Sequence, residues 1–250
     1  MLSFIIPAHN EEFQLPRTLS AIHDAARAVG RPYEIIVAND ASTDATARVA
    51  ESLGARVVSI DRRQIAAARN AGARAATGDT FFFIDADTAI NEPVLRAALA
   101  ALTNNHLAGG ATVRFDKPYP RYVPFLLGPL NLSFRLFRLA GGCFIFCTRH
   151  AYEHIGGWDE SVFAAEEVMF AKAIKQRGRF VTLRETVLTS GRKLRTYSGF
   201  EILFASFRLA LNIRTGVRSR DALGLWYDPR RADPADQHLK PATDDPDRPR

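Results

Sequence analysis

An α/β fold, built on a parallel sheet with helices on both faces, is what the first hundred residues predict. Three observations carry that expectation. Short apolar runs alternate with stretches whose apolar residues recur at helical spacing, the pattern of strand–helix–strand crossovers. The run Phe81, Phe82, Phe83, Ile84 is apolar on successive residues, as a strand buried on both faces requires. The polar clusters AHNEE, NDASTD and DAD each follow such a run, at the strand ends where open α/β sheets bind their ligands.

Each element has its own signals. Residues 2–6 read as a strand stopped by Pro7, and residues 16–29 as a helix with proline in its first turn and Gly30 past its end. Residues 33–38 are the next strand. It leads into NDASTD, where Ser42 or Thr43 can cap a helix carrying Ala47, Val49, Ala50 and Leu53. Residues 57–60 form a third strand, and residues 64–76 a helix ended by Gly78. After FFFIDAD, Asn91 precedes a helix over residues 92–102, and residues 107–114 return as a strand. Residues 121–142 are strongly apolar, with arginines at 121, 135 and 138; Pro124 and Pro129 interrupt them, so a helix is expected only over 130–139. Glu166 and Glu167 open another helix, and residues 180–183 form a short strand. Phe200, Leu203, Phe204, Phe207 and Leu211 then make an apolar stripe on a helix over 200–214. From Asp228 onward the chain is rich in Pro, Asp and Arg and is expected to be disordered. The organisation is one domain over 1–199, a helical extension over 200–227 and a tail over 228–250.

Composition sets the bounds of function. A 250-residue chain with 47% apolar and 24% charged residues is that of an ordinary globular protein. Thirty-three basic against 27 acidic residues, net +6, favour an anionic partner: a nucleotide, a phospholipid surface or nucleic acid. Cys143 and Cys147, four apart, would share a strand face too far apart to bridge, so reduced buried thiols and a cytoplasmic location are expected. No run of about 18 apolar residues suits a membrane span.

The chemistry centres on Asp85 and Asp87. If the backbone stays extended past Ile84, side chains two apart point the same way, and two adjacent anions call for a cation. Mg²⁺ or Mn²⁺ prefers such oxygens and would in turn hold the phosphates of a nucleotide. An isolated Asp-x-Asp is equally a solvated surface turn. No G-x-G-x-x-G follows the first strand, so the dinucleotide fingerprint is absent.

The segments FIIPAHNEE, IIVANDASTDAT, AAARNAGARAATGDTFFFIDAD, GGCFIFCTRHAYEHIGGWDES and the Glu166-Glu167 pair, in that order, resemble the family-2 glycosyltransferases of GT-A fold over about residues 3–190. The resemblance implies a Rossmann-like nucleotide-binding half over 1–105, an acceptor half over 106–199 and a mixed central sheet. It implies that Pro7, Ala8 and Glu11 border a nucleoside pocket, that Asp40 contacts the base, and that Arg69 and Asn70 lie near a diphosphate. Asp85 and Asp87 match the family's metal and ribose-phosphate motif, with Asp87 the more direct ligand of Mn²⁺ or Mg²⁺. The activity implied is inverting transfer of a sugar from a nucleotide-sugar donor, most often a UDP-sugar, to a hydroxyl acceptor, glycan or lipid-linked. The family's base matches the second acidic position, Glu167, where the family has aspartate; Glu166 is the alternative.

On the acceptor side, Gly141 and Gly142 permit close backbone approach to a ligand. Trp158 could stack on a sugar and Asp159 could bond its hydroxyls, although a loop anchored by a buried tryptophan explains the same letters. Relatives often supply a histidine as a further metal ligand near residue 190; here Ser190 stands in that region, with Arg192 and Lys193 offering charge to a leaving diphosphate. The stripe from Phe200 has three readings: docking on the core, peripheral contact with the inner face of a membrane, or a homodimer face. Nucleic acid is not the expected partner. Two other functions stay open: a sugar-1-phosphate nucleotidyltransferase, disfavoured because PAHNEE replaces the expected phosphate loop, and a non-catalytic anion- or membrane-binding module.

Overall fold

The structure is a computed structural model that describes residues 1–198 together with 200, 201 and 218. Eight strands form one sheet: β1 (Leu2–Ala8), β2 (Tyr33–Asp40), β3 (Arg56–Ile60), β4 (Thr80–Ile84), β5 (Thr88–Ala89), β6 (His106–Phe115), β7 (Phe144–Thr148) and β8 (Arg179–Thr189). Their order across the sheet is β3-β2-β1-β4-β7-β6-β8-β5. The first four strands are mutually parallel; β7 runs antiparallel to both β4 and β6, which makes the sheet mixed.

Alternation along each central strand divides the core in two. Phe82 and Ile84 face α1 (Leu15–Val29) and α4 (Glu92–Thr103), while Phe81 and Phe83 face α3 (Ile65–Ala75), α6 (Arg149–His154) and α7 (Glu166–Lys175). The predicted caps are partly realised. Gly30 ends α1 in the left-handed region at φ 71°, and the Asn91 side chain accepts from the Val94 N–H to cap α4. Neither Ser42 nor Thr43 caps α2 (Thr46–Ser52), whose N-terminal residue Ala45 has no side-chain cap bond. α3 comes so close to β1 that a Cβ on Gly72 would lie 2.5 Å from Ile5 Cγ2, which fixes how deep the helix carries Arg69.

Three expectations are corrected. β1 runs through Pro7 to Ala8, because past Ile5 the strand pairs only with β2 and the missing N–H interrupts no ladder to β4. The apolar segment forms α5 (Val123–Phe137), longer than predicted: Pro124 suits a first turn, and Pro129 sits on an exposed face where water can take the freed carbonyl. Cys143 and Cys147 are both free and buried but face opposite cores, since Cys143 precedes β7 instead of belonging to it. No described helix is long and apolar enough to cross a membrane. The helix expected from Phe200 and the tail from Asp228 lie outside the described residues, apart from Phe200, Glu201 and Arg218.

Candidate functional site

A cavity of about 490 Å³ opens at the carboxyl ends of β1, β2 and β4. Pro7 and Ala8 end β1 in its wall, Asp40 ends β2, and Asp85 and Asp87 follow β4. Gly141, Gly142 and Cys143 line it ahead of β7, and Glu166 and Glu167 open α7 at its back. Arg192 and Lys193, on the short helix α8 (Arg192–Thr196), close the remaining side. Leu130 and Phe134 of α5 also line it.

The backbone turns after Asp85 instead of staying extended: the Thr88 N–H donates to the Asp85 carbonyl at 3.0 Å. The two aspartates are therefore held by different cations. Arg69, only 1% exposed, donates from Nη2 to Asp85 Oδ1 at 3.0 Å and to the Gly142 carbonyl at 2.7 Å, and from Nη1 to Glu166 Oε1 at 3.0 Å. Its guanidinium lies 4.4 Å above the centre of the Trp158 ring. Burial opposes this charge, but Asp85, Glu166 and Glu167 outweigh it and hold the Arg69 pKa above the ordinary arginine value. At the other side, Arg192 forms a fork with Glu11 at 2.8 and 2.6 Å and lies 3.3 Å from Asp87 Oδ2.

Glu167 differs from its neighbour. Glu166 is buried against Arg69, whereas Glu167 is half-buried and stands across from Gly142, where a Cβ would lie 3.5 Å from Glu167 Cδ. Burial and the adjacent Glu166 push the Glu167 carboxyl up from 4.5 to about 8. Burial also raises Asp85, with Arg69 opposing it and Asp87 reinforcing it. Ala165, directly before the pair, is buried in the left-handed region at φ 64°, a strained conformation for a residue with a Cβ. Nothing in the run AAEE signals that kink.

Other predicted site residues have structural employment. Asp40 accepts backbone N–H bonds from Arg62, Arg63 and Gln64, each at 2.8 Å, and so fixes the entry to α3. AHNEE and NDASTD bind one another: Asn10 accepts from the Thr43 N–H, and Glu12 from the Ala45 N–H. Asn70 does not line the cavity. Its amide donates to the Trp158 carbonyl and Glu160 and accepts from the Tyr152 hydroxyl and the Trp158 N–H. Trp158, expected to stack on a sugar, is 2% exposed between Arg69 and Phe170, with its ring 4.4 Å from the latter. Asp159 is exposed, accepts from the Ser161 N–H and does not line the cavity. Both serve the loop that α3 pins. Ser190 lines the cavity and its N–H donates to the Asp87 carbonyl.

The lining carries six carboxylates and four cationic side chains. Glu167, raised to about 8, is largely protonated near neutral pH, so the charges of the lining nearly balance and a cation carried in with a diphosphate meets no strong excess of either sign. Among the described residues no group of three or more His, Cys, Asp or Glu could hold a metal ion. Two aspartates fit Mg²⁺ or Mn²⁺ in the manner of sites that substrate phosphates and waters complete.

Comparison with known proteins identifies the fold and the family. A mannosyltransferase from Pyrobaculum calidifontis, solved with GDP-Man and Mn²⁺, superposes with a TM-score of 0.65 over 90% of this chain and 68% of its own, at 20% identity. Glucosyl-3-phosphoglycerate synthase from Mycobacterium tuberculosis, solved with Mn²⁺, UDP and its product, gives 0.56 over 88% and 81%, at 19% identity. These likenesses establish the GT-A fold. In sequence, the chain is 35% identical over 98 residues to an undecaprenyl-phosphate 4-deoxy-4-formamido-L-arabinose transferase of Klebsiella pneumoniae, covering 34% of this chain. It is 32% identical over 130 residues to a 4,4'-diaponeurosporenoate glycosyltransferase of Staphylococcus haemolyticus, covering 47%. The matches span only 28% and 34% of those relatives' own lengths. The profile of Glycosyl transferase family 2 matches residues 3–152, more than half of the chain and nearly all of the segment from β1 to β7, so the chain belongs to that family.

Proposed function

We propose that this chain transfers a sugar from a nucleotide-sugar donor to a hydroxyl acceptor with inversion, with Glu167 as the general base. One observation carries the reading: Arg69 ties Glu166 and Asp85, leaving Glu167 facing the cavity with its carboxyl raised to about 8. A base whose pKa lies near the working pH combines a useful ionised fraction with enough basicity to take the hydroxyl proton as the bond forms. Inversion needs only that one base, opposite the leaving group. Pro7, Ala8 and Glu11 bound the end of the cavity offered to the nucleoside; Arg192 and Lys193 offer charge to the diphosphate.

Asp87, with Asp85 behind it, would hold Mn²⁺ or Mg²⁺, which when bound stabilises the negative charge developing on the departing diphosphate. UDP is the preferred nucleotide, because relatives of the same fold were solved with UDP, as in the synthase above, and with UDP-GlcNAc, as in TarS of S. aureus. A lipid-linked acceptor is favoured over a free glycan by the relative named for undecaprenyl phosphate.

Thermal stabilisation across a panel of nucleotide-sugars, with and without Mn²⁺, tests the donor. Ligand at a hundredfold its Kd should add about 2.7 kcal/mol to the native state. A panel in which no nucleotide shifts the midpoint, with or without metal, would sink the reading.

A further inference from the structure

Helix α5 is apolar on both sides. Its inner side is firmly attached: Val123 is buried, the Asn131 amide bonds both the N–H and the carbonyl of Val113, and the Thr182 hydroxyl donates to the carbonyls of Phe134 and Leu139. At 100° per residue, Phe125, Leu132 and Leu136 fall on the opposite side, with Leu126 and Phe137 on the flank between them and Leu130 and Phe134, all five 53–80% exposed. Seven of the ten exposed large apolar side chains among the described residues lie between Tyr122 and Phe137, so this is a patch and not the usual scatter. A helix of 15 residues with this composition is too short to span a bilayer and too apolar for water on its outer face.

We infer that this outer face rests on an anionic lipid surface, which would bring the lipid-linked acceptor of the transfer reading to the mouth of the cavity. Charge complementarity selects the occupant. Arg121, Arg135 and Arg138 flank the patch, and no acidic residue occurs between positions 117 and 152. Arginines can reach head groups while Phe125 and Leu136 enter the acyl boundary. A second copy docked face to face would set these arginines against their own equivalents with no carboxylate to pair them. The chain's own residues 202–227 carry four arginines against one aspartate and repeat the mismatch.

The patch is continuous with the cavity. Leu130 and Phe134, on the same helix, line the pocket that holds Glu167, so one helix width separates lipid from site. An acceptor could keep an apolar tail in the lipid while its hydroxyl head reaches the carboxylate. This last step rests on the sugar-transfer reading; the docking surface does not.

The test uses the full chain carrying Leu136→Cys, labelled with a polarity-sensitive fluorophore; the native thiols at Cys143 and Cys147 are buried, and unsubstituted protein corrects for them. The expected emission is that of a water-exposed probe in buffer, moving to the blue with phosphatidylglycerol vesicles, not with phosphatidylcholine vesicles, and reverting in high salt. Adding Arg135→Gln should weaken vesicle binding about fivefold, the equivalent of roughly 1 kcal/mol per arginine at the surface. A probe already blue-shifted in buffer would show that protein covers the face and would overturn the proposal, as would no response to anionic vesicles. Stabilisation by the nucleotide-sugar panel, with and without Mn²⁺, is measured on the same preparation. A vesicle response without stabilisation by any nucleotide of the panel upholds the docking surface and fails the transfer reading instead.

Discussion

The floor of the cavity and its rim contain the same chemistry and use it differently. On the floor, Arg69 is 1% exposed, belongs to α3 and binds Asp85 and Glu166 together at 3.0 Å. At the rim, Arg192 belongs to a five-residue helix with no buried residue, and its contact with Asp87 is longer, at 3.3 Å. Each acidic pair thus has one member bonded to Arg69, although all four carboxylates line the cavity. An arginine buried between two carboxylates makes them part of the architecture; the function proposed above assigns the ligand to the members it leaves out.

The largest expected effect separates the two glutamates. Glu167→Gln keeps shape but loses basicity, so transfer should fall by about 10² to 10⁴ while UDP affinity, read by calorimetry, is unchanged. Glu166→Gln should slow transfer less. Wild-type turnover in Glu167→Gln together with a collapse in Glu166→Gln would invert the assignment of floor and rim. Donor hydrolysis has to be followed separately, since water can replace the acceptor.

Next is the stability of the floor. Arg69→Met leaves Glu166 buried and Asp85 partly buried without their counter-charge, and breaking a buried pair in this way costs roughly 3–5 kcal/mol. Urea denaturation should place the variant that far below wild type. A loss under about 1 kcal/mol, the range of an exposed pair, would mean that the floor is no more committed than the rim.

Asp87→Ala acts on the rim alone. It removes a carboxylate whose hydroxyl contacts with Thr88 and Thr189 are long, at 3.5 and 3.4 Å, so the unliganded melting midpoint should hardly move. The Mn²⁺-dependent part of UDP binding should disappear. Undiminished UDP affinity in saturating Mn²⁺ would remove Asp87 as a ligand.

The smallest effect is a stability difference with a defined sign. Glu167 has a folded pKa raised from 4.5 to about 8, so the unfolded chain releases this proton first and native stability declines as pH rises through that interval. Glu167→Gln cannot ionise. It should match wild type near pH 5 and exceed it by roughly 1 kcal/mol at pH 9, the familiar exchange of function for stability. Equal thermal midpoints at both pH values would show the Glu167 side chain to be ordinarily solvated.

The strands and most helices were legible because periodicity and caps agree with the tertiary contacts: FFFI is buried on both faces, and Asn91 caps α4. The candidate site was legible only as a set of letters. The pairs DAD and EE mark where acid accumulates, but which member is tied to the core depends on Arg69, 97 residues from Glu166 in sequence. Asn70 and Trp158 look like ligand contacts because polar and aromatic residues in loops serve ligands and scaffolds alike; here the Asn70 amide bonds the main-chain N–H and carbonyl of Trp158. Asp40 has the same ambiguity: it lines the cavity and also accepts three backbone N–H bonds. The extent of α5 is not legible, because Pro129 reads as a breaker unless the side of the helix that faces water is known.

The sequence distances in this site also set an order of assembly during synthesis. Arg69 leaves the ribosome 97 residues before Glu166, and Glu11 leaves 181 before Arg192. At about 5 to 20 residues per second, the Arg69 guanidinium waits roughly 5 to 20 s for its second carboxylate. Over part of that time β4 is an open sheet edge, because its antiparallel neighbour β7 is 60 residues further on, and that edge reads Phe-Phe-Phe-Ile. A nascent chain in this state presents the kind of edge that pairs with other chains, so yield on expression should track how fast residues 144–148 arrive or how well chaperones cover the strand until they do.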